Sequence, residues 1–142
     1  MKLLATLVAS VFAASAFAQS PVGLWKTVDD ASGKEKSLIR ISESGGVFSG
    51  KIEKLLAPDA KPDAKCDQCT DARKDQPVVG MTVMRNVKKN DEQWDGGDIL
   101  DPNNGKVYKV RLRLDADNKK LEVRGYVGTP MLGRSQNWQR VE

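Results

Sequence analysis

Short segments in which apolar and polar residues alternate recur along the chain, and turn-forming residues separate them. Within residues 106–114, every second residue from Tyr108 to Leu114 is apolar or aromatic, and the residues between these are lysine or arginine. Alternation with a period of two is typical of a strand that has one buried face and one solvated face. The pattern predicts eight strands, at residues 24–28, 37–42, 47–56, 81–87, 93–100, 106–114, 119–127 and 135–141.

Tight turns between these segments indicate an antiparallel meander. Asn104-Gly105 predicts a hairpin because both residues tolerate positive φ, and Gly96-Gly97 predicts a bulge where a closing sheet must bend. An open sheet of this size would expose two long edges, which closure removes. We therefore predict an all-β fold, a small antiparallel up-and-down β-barrel of about eight strands. A two-sheet sandwich is the alternative.

The segment from Ala57 to Gly80 interrupts the meander. It contains Pro58-Asp59-Ala60-Lys61 followed directly by a second copy of the same four residues. Long loops in compact domains are usually functional or disordered. Two interpretations follow, a solvated spacer or a flap over one mouth of the barrel.

The first eighteen residues have the layout of a cleavable secretory signal. Lys2 precedes an apolar run from Leu3 to Phe12, and small residues then lead to Ala16-Phe17-Ala18. The run is too short to span a bilayer as a stable helix. We expect a signal helix at residues 1–18 that is removed, a single barrel domain at residues 19–142, and a periplasmic or secreted location in a bacterium.

Composition excludes several chemistries. The chain has 23 basic and 19 acidic residues, well mixed and without a basic arm, which does not indicate a nucleic-acid binder. It has no histidine, which excludes a Ser-His-Asp triad, a Cys-His pair and a histidine zinc site. Position 19 is glutamine rather than the cysteine that a lipid anchor would need. We expect a monomer without cofactor, metal, nucleic-acid partner or membrane anchor.

The two cysteines, Cys66 and Cys69, lie inside the long loop. A disulfide is the default in an exported chain, and closing so short a loop contributes at most about 2 kcal/mol. A redox pair would need a cationic neighbourhood, whereas Asp67 and Asp71 would oppose a thiolate. We predict a local staple, with a redox pair and a metal site as alternatives.

Several aspartates invite a catalytic or metal-binding interpretation. Asp101-Pro102-Asn103-Asn104-Gly105 offers closely spaced oxygens but lacks the later acidic residue of a calcium loop. Asp29-Asp30, and Asp98 with Asp101, could form carboxylate pairs, although each lies at or beside a turn, where aspartate caps its own backbone. An enzyme would be indicated by Asp98 or Asp101 facing a cavity beside Arg124.

Aromatic and arginine residues concentrate on the first and last predicted strands. Trp25 lies on the first, and Arg124, Tyr126, Trp138 and Arg140 lie near the end of the chain. In a closed meander these strands are neighbours, so a tryptophan and an arginine can stack and shut one end of the barrel. We predict that this set serves barrel closure or ligand contact. The alternative is that Trp25, Trp94 and Trp138 are ordinary core or rim aromatics.

Gly23-x-Trp25 with a late arginine is similar to the signature of the lipocalin and fatty-acid-binding superfamily. The chain as a whole resembles the exported bacterial family known as domain of unknown function 2147. The residues that carry the resemblance are Gly23-Leu24-Trp25, Gly50-Lys51-Ile52, Cys66-Asp67-Gln68-Cys69, Gly80-Met81, Trp94 to Pro102, Asn104 to Tyr108, Arg124-Gly125-Tyr126, Leu132-Gly133-Arg134 and Trp138. The resemblance implies a lipocalin-like barrel and no activity.

Three functional hypotheses follow. The leading one is an exported, non-enzymatic barrel that binds a small apolar or amphipathic molecule, because small barrels either fill their interior or hold one small ligand. The second is a cell-envelope interaction or inhibitor module whose 57–80 loop enters a partner protein. The third is an enzyme in the barrel mouth. Bulky residues that could instead fill the interior are Trp25, Ile39, Ile41, Phe48, Ile52, Val110, Leu112, Leu114 and Val123.

Overall fold

A computed structural model describes residues 19–142, which form a closed barrel of eight antiparallel strands in sequential order. The strands are β1 Gly23–Val28, β2 Glu35–Ser44, β3 Val47–Leu55, β4 Thr82–Asn90, β5 Gln93–Asp101, β6 Lys106–Leu114, β7 Lys120–Tyr126 and β8 Gly133–Arg140. A single 3₁₀ turn, Pro130–Leu132, precedes β8. The predicted up-and-down barrel is confirmed and the sandwich is wrong. The predicted signal helix lies outside the described residues.

The predicted strands agree with the observed ones to within a few residues, and β6 has the predicted bounds. The largest difference at a strand end is in β4, which continues to Asn90 instead of ending at Val87. Its last three residues are all exposed and polar, so no alternation marks them as strand. Pairing with β5 extends the strand to a tight turn, in which Asp91 takes a φ of 54°.

The hairpin predicted at Asn104-Gly105 exists, but its turn is longer than a two-residue turn. Only Gly105 takes a positive φ, of 71°. Its N–H donates to the Asp101 carbonyl at 2.8 Å, which closes a loop over residues 102–105. The carboxylate of Asp101 accepts from the Asn103 N–H at 2.9 Å, and the Asn104 side chain accepts from the Lys106 N–H at 2.8 Å. These oxygens therefore cap a turn.

The predicted bulge is present in β5. Gly96 has a φ of 82°, and the pairing of β5 with β6 shifts register between Trp94 and Gly97. A Cβ at Gly97 would overlap the carbonyl oxygen of Arg85 on β4. Glycine is needed at Gly97 for close backbone approach and at Gly96 for its left-handed conformation.

Bulky side chains fill one half of the barrel. This half lies at the closed end, defined here as the end where β1 begins and where the β2–β3, β4–β5 and β6–β7 turns lie. Phe48 and Trp94 meet edge to face there, with their ring centroids 6.4 Å apart. The buried residues of this half include Trp25, Ile41, Phe48, Met84, Val87, Trp94, Val110, Leu112 and Leu121. Leu114 is only half-buried.

Arg140 closes this end of the barrel. It pairs with Trp25 in the β1–β8 ladder, and its guanidinium lies 4.3 Å from the centroid of the fully buried indole. The same guanidinium donates to the carbonyls of Asn118 at 2.6 Å and of Val22 and Ser20 at 2.8 Å each. Burial lowers the pKa of Arg140 from its ordinary value. The carbonyls and the ring face stabilise a charge that is partly removed from water.

Removal of the Arg140 guanidinium should weaken the whole barrel. We expect Arg140→Met to lower the free energy of unfolding by about 3 kcal/mol, because three carbonyls lose a charged donor and Trp25 loses its stacking partner. Arg113→Met is the control, since exposed Arg113 bonds only to the Gln93 side chain. Urea unfolding measures both variants. Equal stabilities would contradict the assignment of Arg140 as the closing residue.

Candidate functional site

A cavity of about 950 Å³ occupies the other half of the barrel and opens at the opposite end, called here the open end. Its apolar wall comes from strand residues that include Ile39, Ile52, Val83, Ile99 and Val123. The volume lies within the range of about 300–1,000 Å³ that is typical of small-molecule sites. The barrel is thus half filled and half open.

The residues predicted to fill the interior divide between these two halves. Ile39, Ile52 and Val123 line the cavity. The remaining buried members of the set, Trp25, Ile41, Phe48, Val110 and Leu112, do not line it and form the packed closed end. The interior therefore keeps space for a ligand although the sequence is rich in bulky apolar residues.

Uncharged polar groups lie along one side of the cavity. The hydroxyls of Thr27 on β1 and Ser37 on β2 are 2.7 Å apart, and these residues are only 5% and 8% exposed. On β8, the indole N–H of Trp138 donates to Oε1 of Gln136 at 3.3 Å. All four side chains line the cavity. Convergent polar groups in an otherwise apolar pocket orient a ligand.

Charged side chains line only the mouth of the cavity. Arg134 on β8 holds the carboxylate of Asp30, with Nη2 2.7 Å from Oδ2, and thereby ties β8 to the β1–β2 loop. Backbone hydrogen bonds from Ser32 and Ala31 lower the pKa of Asp29. Asp29 and Asp30 are thus engaged in a turn and an ion pair.

The 57–80 loop lies across part of the open end. Its arms are joined by a Lys65–Pro77 bridge, and the Cys66 N–H donates to the Gln76 carbonyl at 2.9 Å. The Gly80 N–H donates to the Ile52 carbonyl on β3 at 2.7 Å. Residues of the loop, Ala64 and Val78 among them, line the cavity. The solvated-spacer interpretation is therefore wrong. Partner binding by this loop stays a prediction, which such packing does not favour.

A disulfide joins Cys66 and Cys69, which are 0% and 1% exposed. The sulfur of Cys66 lies 3.8 Å from the Pro102 carbonyl oxygen. A Cβ at Gly105 would overlap the backbone of Gln68, so the loop tip rests against the β5–β6 turn. Within residues 19–142 no group of three histidine, cysteine or acidic side chains could hold a metal ion. The bond therefore fastens the loop at the mouth.

A second fastening lies on the other arm of the loop. Arg73 contacts both carboxylate oxygens of Asp71, because Nη2 lies 2.6 Å from Oδ2 and Nε lies 3.1 Å from Oδ1. Its Nη1 donates to the Thr82 carbonyl at 3.0 Å. The side-chain hydrogen bond from Arg73, followed by its backbone N–H, lowers the pKa of Asp71 from 3.8 to about 2. The pair attaches the loop to the start of β4.

The predicted closure and contact residues separate in space. Tyr126 and Trp138 line the cavity, whereas Trp25 and Arg140 lie at the closed end. Arg124 lies outside the cavity lining, where it donates to the Pro130 carbonyl at 2.5 Å and to the Ser135 hydroxyl at 2.9 Å.

The arrangement expected of an enzyme does not occur among residues 19–142. Asp98 pairs with Arg85 at 3.2 Å and does not line the cavity. Asp101 lines the mouth, but its carboxylate caps the following turn and Arg124 is not beside the cavity.

Within the same residues no helix is long and apolar enough to cross a membrane.

The sequence interpretation missed Thr27, Ser37 and Gln136. A signal for Ser37 was present, because it alternates with Ile39 and Ile41 on one strand face. Gln136 stands in a strand that is polar at nearly every position, so alternation could not show which side faces inward.

Residues 23–140 match the family model described as an uncharacterized protein conserved in bacteria, DUF2147. The chain belongs to the DUF2147 family. Among solved structures, this DUF2147 barrel is similar to one described as "Protein HP1028 from the human pathogen Helicobacter pylori belongs to the lipocalin family". The TM-score is 0.76 at 18% sequence identity, over 88% of this chain and 85% of that chain. The likeness shows a lipocalin-like fold. No curated protein matches the DUF2147 chain.

The disulfide should act locally. We expect Cys66→Ala/Cys69→Ala to cost about 2 kcal/mol, the loop-entropy value for so short a ring, and to preserve a single cooperative unfolding transition. Amide exchange should accelerate at Cys66 and Asp75, which are joined by a backbone hydrogen bond of 2.8 Å, and not in β6. Urea unfolding and hydrogen exchange measure these effects. Loss of the folded barrel would contradict a local role.

The Asp71–Arg73 pair predicts a pH dependence. Because the folded-state pKa of Asp71 lies below its ordinary 3.8, its stabilisation is complete above that value and is lost as the pH falls through about 2. Asp71 is partly exposed, so we expect Asp71→Asn to cost less than about 1 kcal/mol at neutral pH and nothing at the acid limit. Asp63→Asn on the same exposed loop is the control. A constant difference at all pH values in urea unfolding would contradict this account.

Proposed function

We propose that this lipocalin-like protein is a non-enzymatic carrier that binds one small amphipathic molecule in the open half of its barrel. The observation that supports this most is the cavity of about 950 Å³, whose lining combines apolar strand side chains, uncharged polar groups along one side and charged residues at the mouth. A closed sheet supplies such a site without moving strands, since its interior positions face one another across the barrel.

The free energies expected for binding are consistent with this proposal. Burial of an alkyl chain gains about 0.8 kcal/mol per methylene, so about ten methylenes gain about 8 kcal/mol. Association costs at least about 4 kcal/mol of translational and rotational freedom. The balance corresponds to dissociation constants of about a millimolar for an alkyl chain alone. Polar contacts would lower these values further.

The engaged state of Asp29 and Asp30 supports a role in binding rather than catalysis. At the mouth, Asp29 accepts from the N–H groups of Ala31 and Ser32 at 2.8 and 2.9 Å, and Asp30 is paired with Arg134. A general acid or base must be available to substrate.

We propose further that the protein acts in the periplasm or outside the cell. The layout of the first eighteen residues and the Cys66–Cys69 disulfide support this, because disulfides persist in oxidising compartments. Detection of the cleaved chain in a periplasmic extract would test the location independently of ligand binding.

Partial filling of the cavity should weaken binding. A Cβ at Gly125 would stand 3.5 Å from Cβ of Tyr108, an ordinary contact distance, and the residue lines the cavity. We expect Gly125→Leu to weaken binding of a neutral fluorescent probe, N-phenyl-1-naphthylamine, by about tenfold or more because it occupies ligand space. Fluorescence titration measures the effect.

Lys109→Leu is the matched control, because it introduces the same side chain at an exposed position of the adjacent strand β6. It should bind the probe as the unmodified protein does. Equal weakening by both variants would show that the probe binds elsewhere. Native mass spectrometry before and after organic extraction would identify a ligand that copurifies.

A further inference from the structure

The geometry points to the class of ligand. We propose that the buried end of the ligand carries an uncharged oxygen acceptor, as in an alcohol, ester or amide, and that Gln136 binds it. This inference rests on the proposed function, since it concerns the same cavity. It assigns Gln136 as the residue that discriminates a neutral amphiphile from a carboxylate of the same chain length.

The orientation of the Gln136 amide follows from its neighbour. The indole of Trp138 can only donate, so the atom 3.3 Å from its Nε1 is the carbonyl Oε1 of Gln136. The amide nitrogen Nε2 then points away from the indole and has no partner among residues 19–142. It is not a fully buried atom, and the residue lines the cavity. Gln136 therefore offers N–H donors to whatever enters.

Gln136 faces the enclosed part of the cavity and not only its mouth. In the β7–β8 ladder it pairs with Val123, which is buried and lines the cavity. Two residues further along β8, Trp138 shares this face and is buried as well. The position lies well inside the barrel wall, where a competing water is removed when a ligand enters.

Thr27 and Ser37 extend this polar side on β1 and β2. Their hydroxyl oxygens are 2.7 Å apart, and Thr27 Oγ1 lies 3.4 Å from the Ser37 carbonyl oxygen. The two hydroxyl groups use their O–H donors within the pair, and their oxygens keep unused lone pairs. Such a pair tolerates a hydroxyl or an amide nearby. It provides no positive charge to a carboxylate.

Among residues 19–142, no charged side chain lines the enclosed part of the cavity. The charged residues that line the cavity lie in loops or within two residues of a strand end, and they are Asp29, Asp30, Lys36, Asp59, Lys61, Lys65, Asp67, Asp101 and Arg134. A carboxylate carried past them would lose hydration without gaining a cation, whereas a neutral oxygen loses little if Gln136 donates to it. The mouth carries five carboxylates against four cations, so it does not favour an anion either.

Competition among ligands of one chain length tests the proposal. Dodecanol, methyl dodecanoate, dodecanamide and dodecanoate would each displace N-phenyl-1-naphthylamine from the purified protein near neutral pH. We expect the three neutral compounds to bind about tenfold more tightly than dodecanoate, because an ionised group has no buried partner. Lowering the pH toward the pKa of the fatty acid should reduce the difference.

Substitution at Gln136 should reduce the preference from about tenfold to about twofold. Gln136→Leu and the more isosteric Gln136→Met should weaken binding of the neutral oxygen compounds by about fivefold relative to the probe, which is titrated on each variant as the reference, because one hydrogen bond is lost. Gln139→Leu is the matched control, because Gln139 is exposed on the same strand. Near-ultraviolet circular dichroism would confirm that each variant keeps its fold.

Two results would overturn this inference while leaving the proposed function intact. Dodecanoate could bind as tightly as the neutral compounds, or both Gln136 variants could keep the preference unchanged. Failure of the probe and of all four compounds to bind the unmodified protein would instead overturn the proposed function, and this inference with it.

Discussion

The structure depends on the closure of β8 against β1, which the guanidinium of Arg140 secures. The ladder between these strands is short, with pairs at Trp25–Arg140 and Lys26–Gln139. Backbone hydrogen bonds that join Leu24 to Val141 and Glu142 continue it by one step. Arg140 adds contacts to the chain before β1 and to the β6–β7 turn, so one side chain joins separate segments around a buried indole. Without closure, the first and last strands would be sheet edges and the interior would open to water.

Closure also explains why the interior can be divided in two. The closed end is packed with large aromatic and aliphatic side chains, which supply the apolar burial that stabilises the fold. The open end does not need to supply this burial, and its lining includes smaller or polar residues such as Thr27, Ser37 and Gly125. One half of each strand thus stabilises the fold, and the other half forms the candidate site. The two fastenings of the 57–80 loop, at Cys66 and at Asp71, hold it across part of the mouth without adding to the packed half.

The alternation of apolar and polar residues predicted most of the fold, because a strand with one buried face repeats this pattern over neighbouring residues. The alternation predicted β6, whose residues face either the dry interior or water. The Gly96-Gly97 bulge was predicted from residue type, because glycine marks a bent backbone. Alternation failed for the 57–80 loop, whose course is set by contacts with residues distant in sequence, such as Gly105 and Ile52. It also failed for the site, because the inward residues of β8 are as polar as the outward ones.

The polar residues on the inner wall matter because folding alone does not explain them. An amide inside a barrel costs stability unless both of its ends are satisfied. The carbonyl oxygen of Gln136 is satisfied, because it accepts a hydrogen bond from the buried indole of Trp138. This bond leaves the amide nitrogen directed at the cavity, where a leucine or valine would serve packing better. Departures from local rules concentrate at functional sites, and this one lies where a ligand would require a donor.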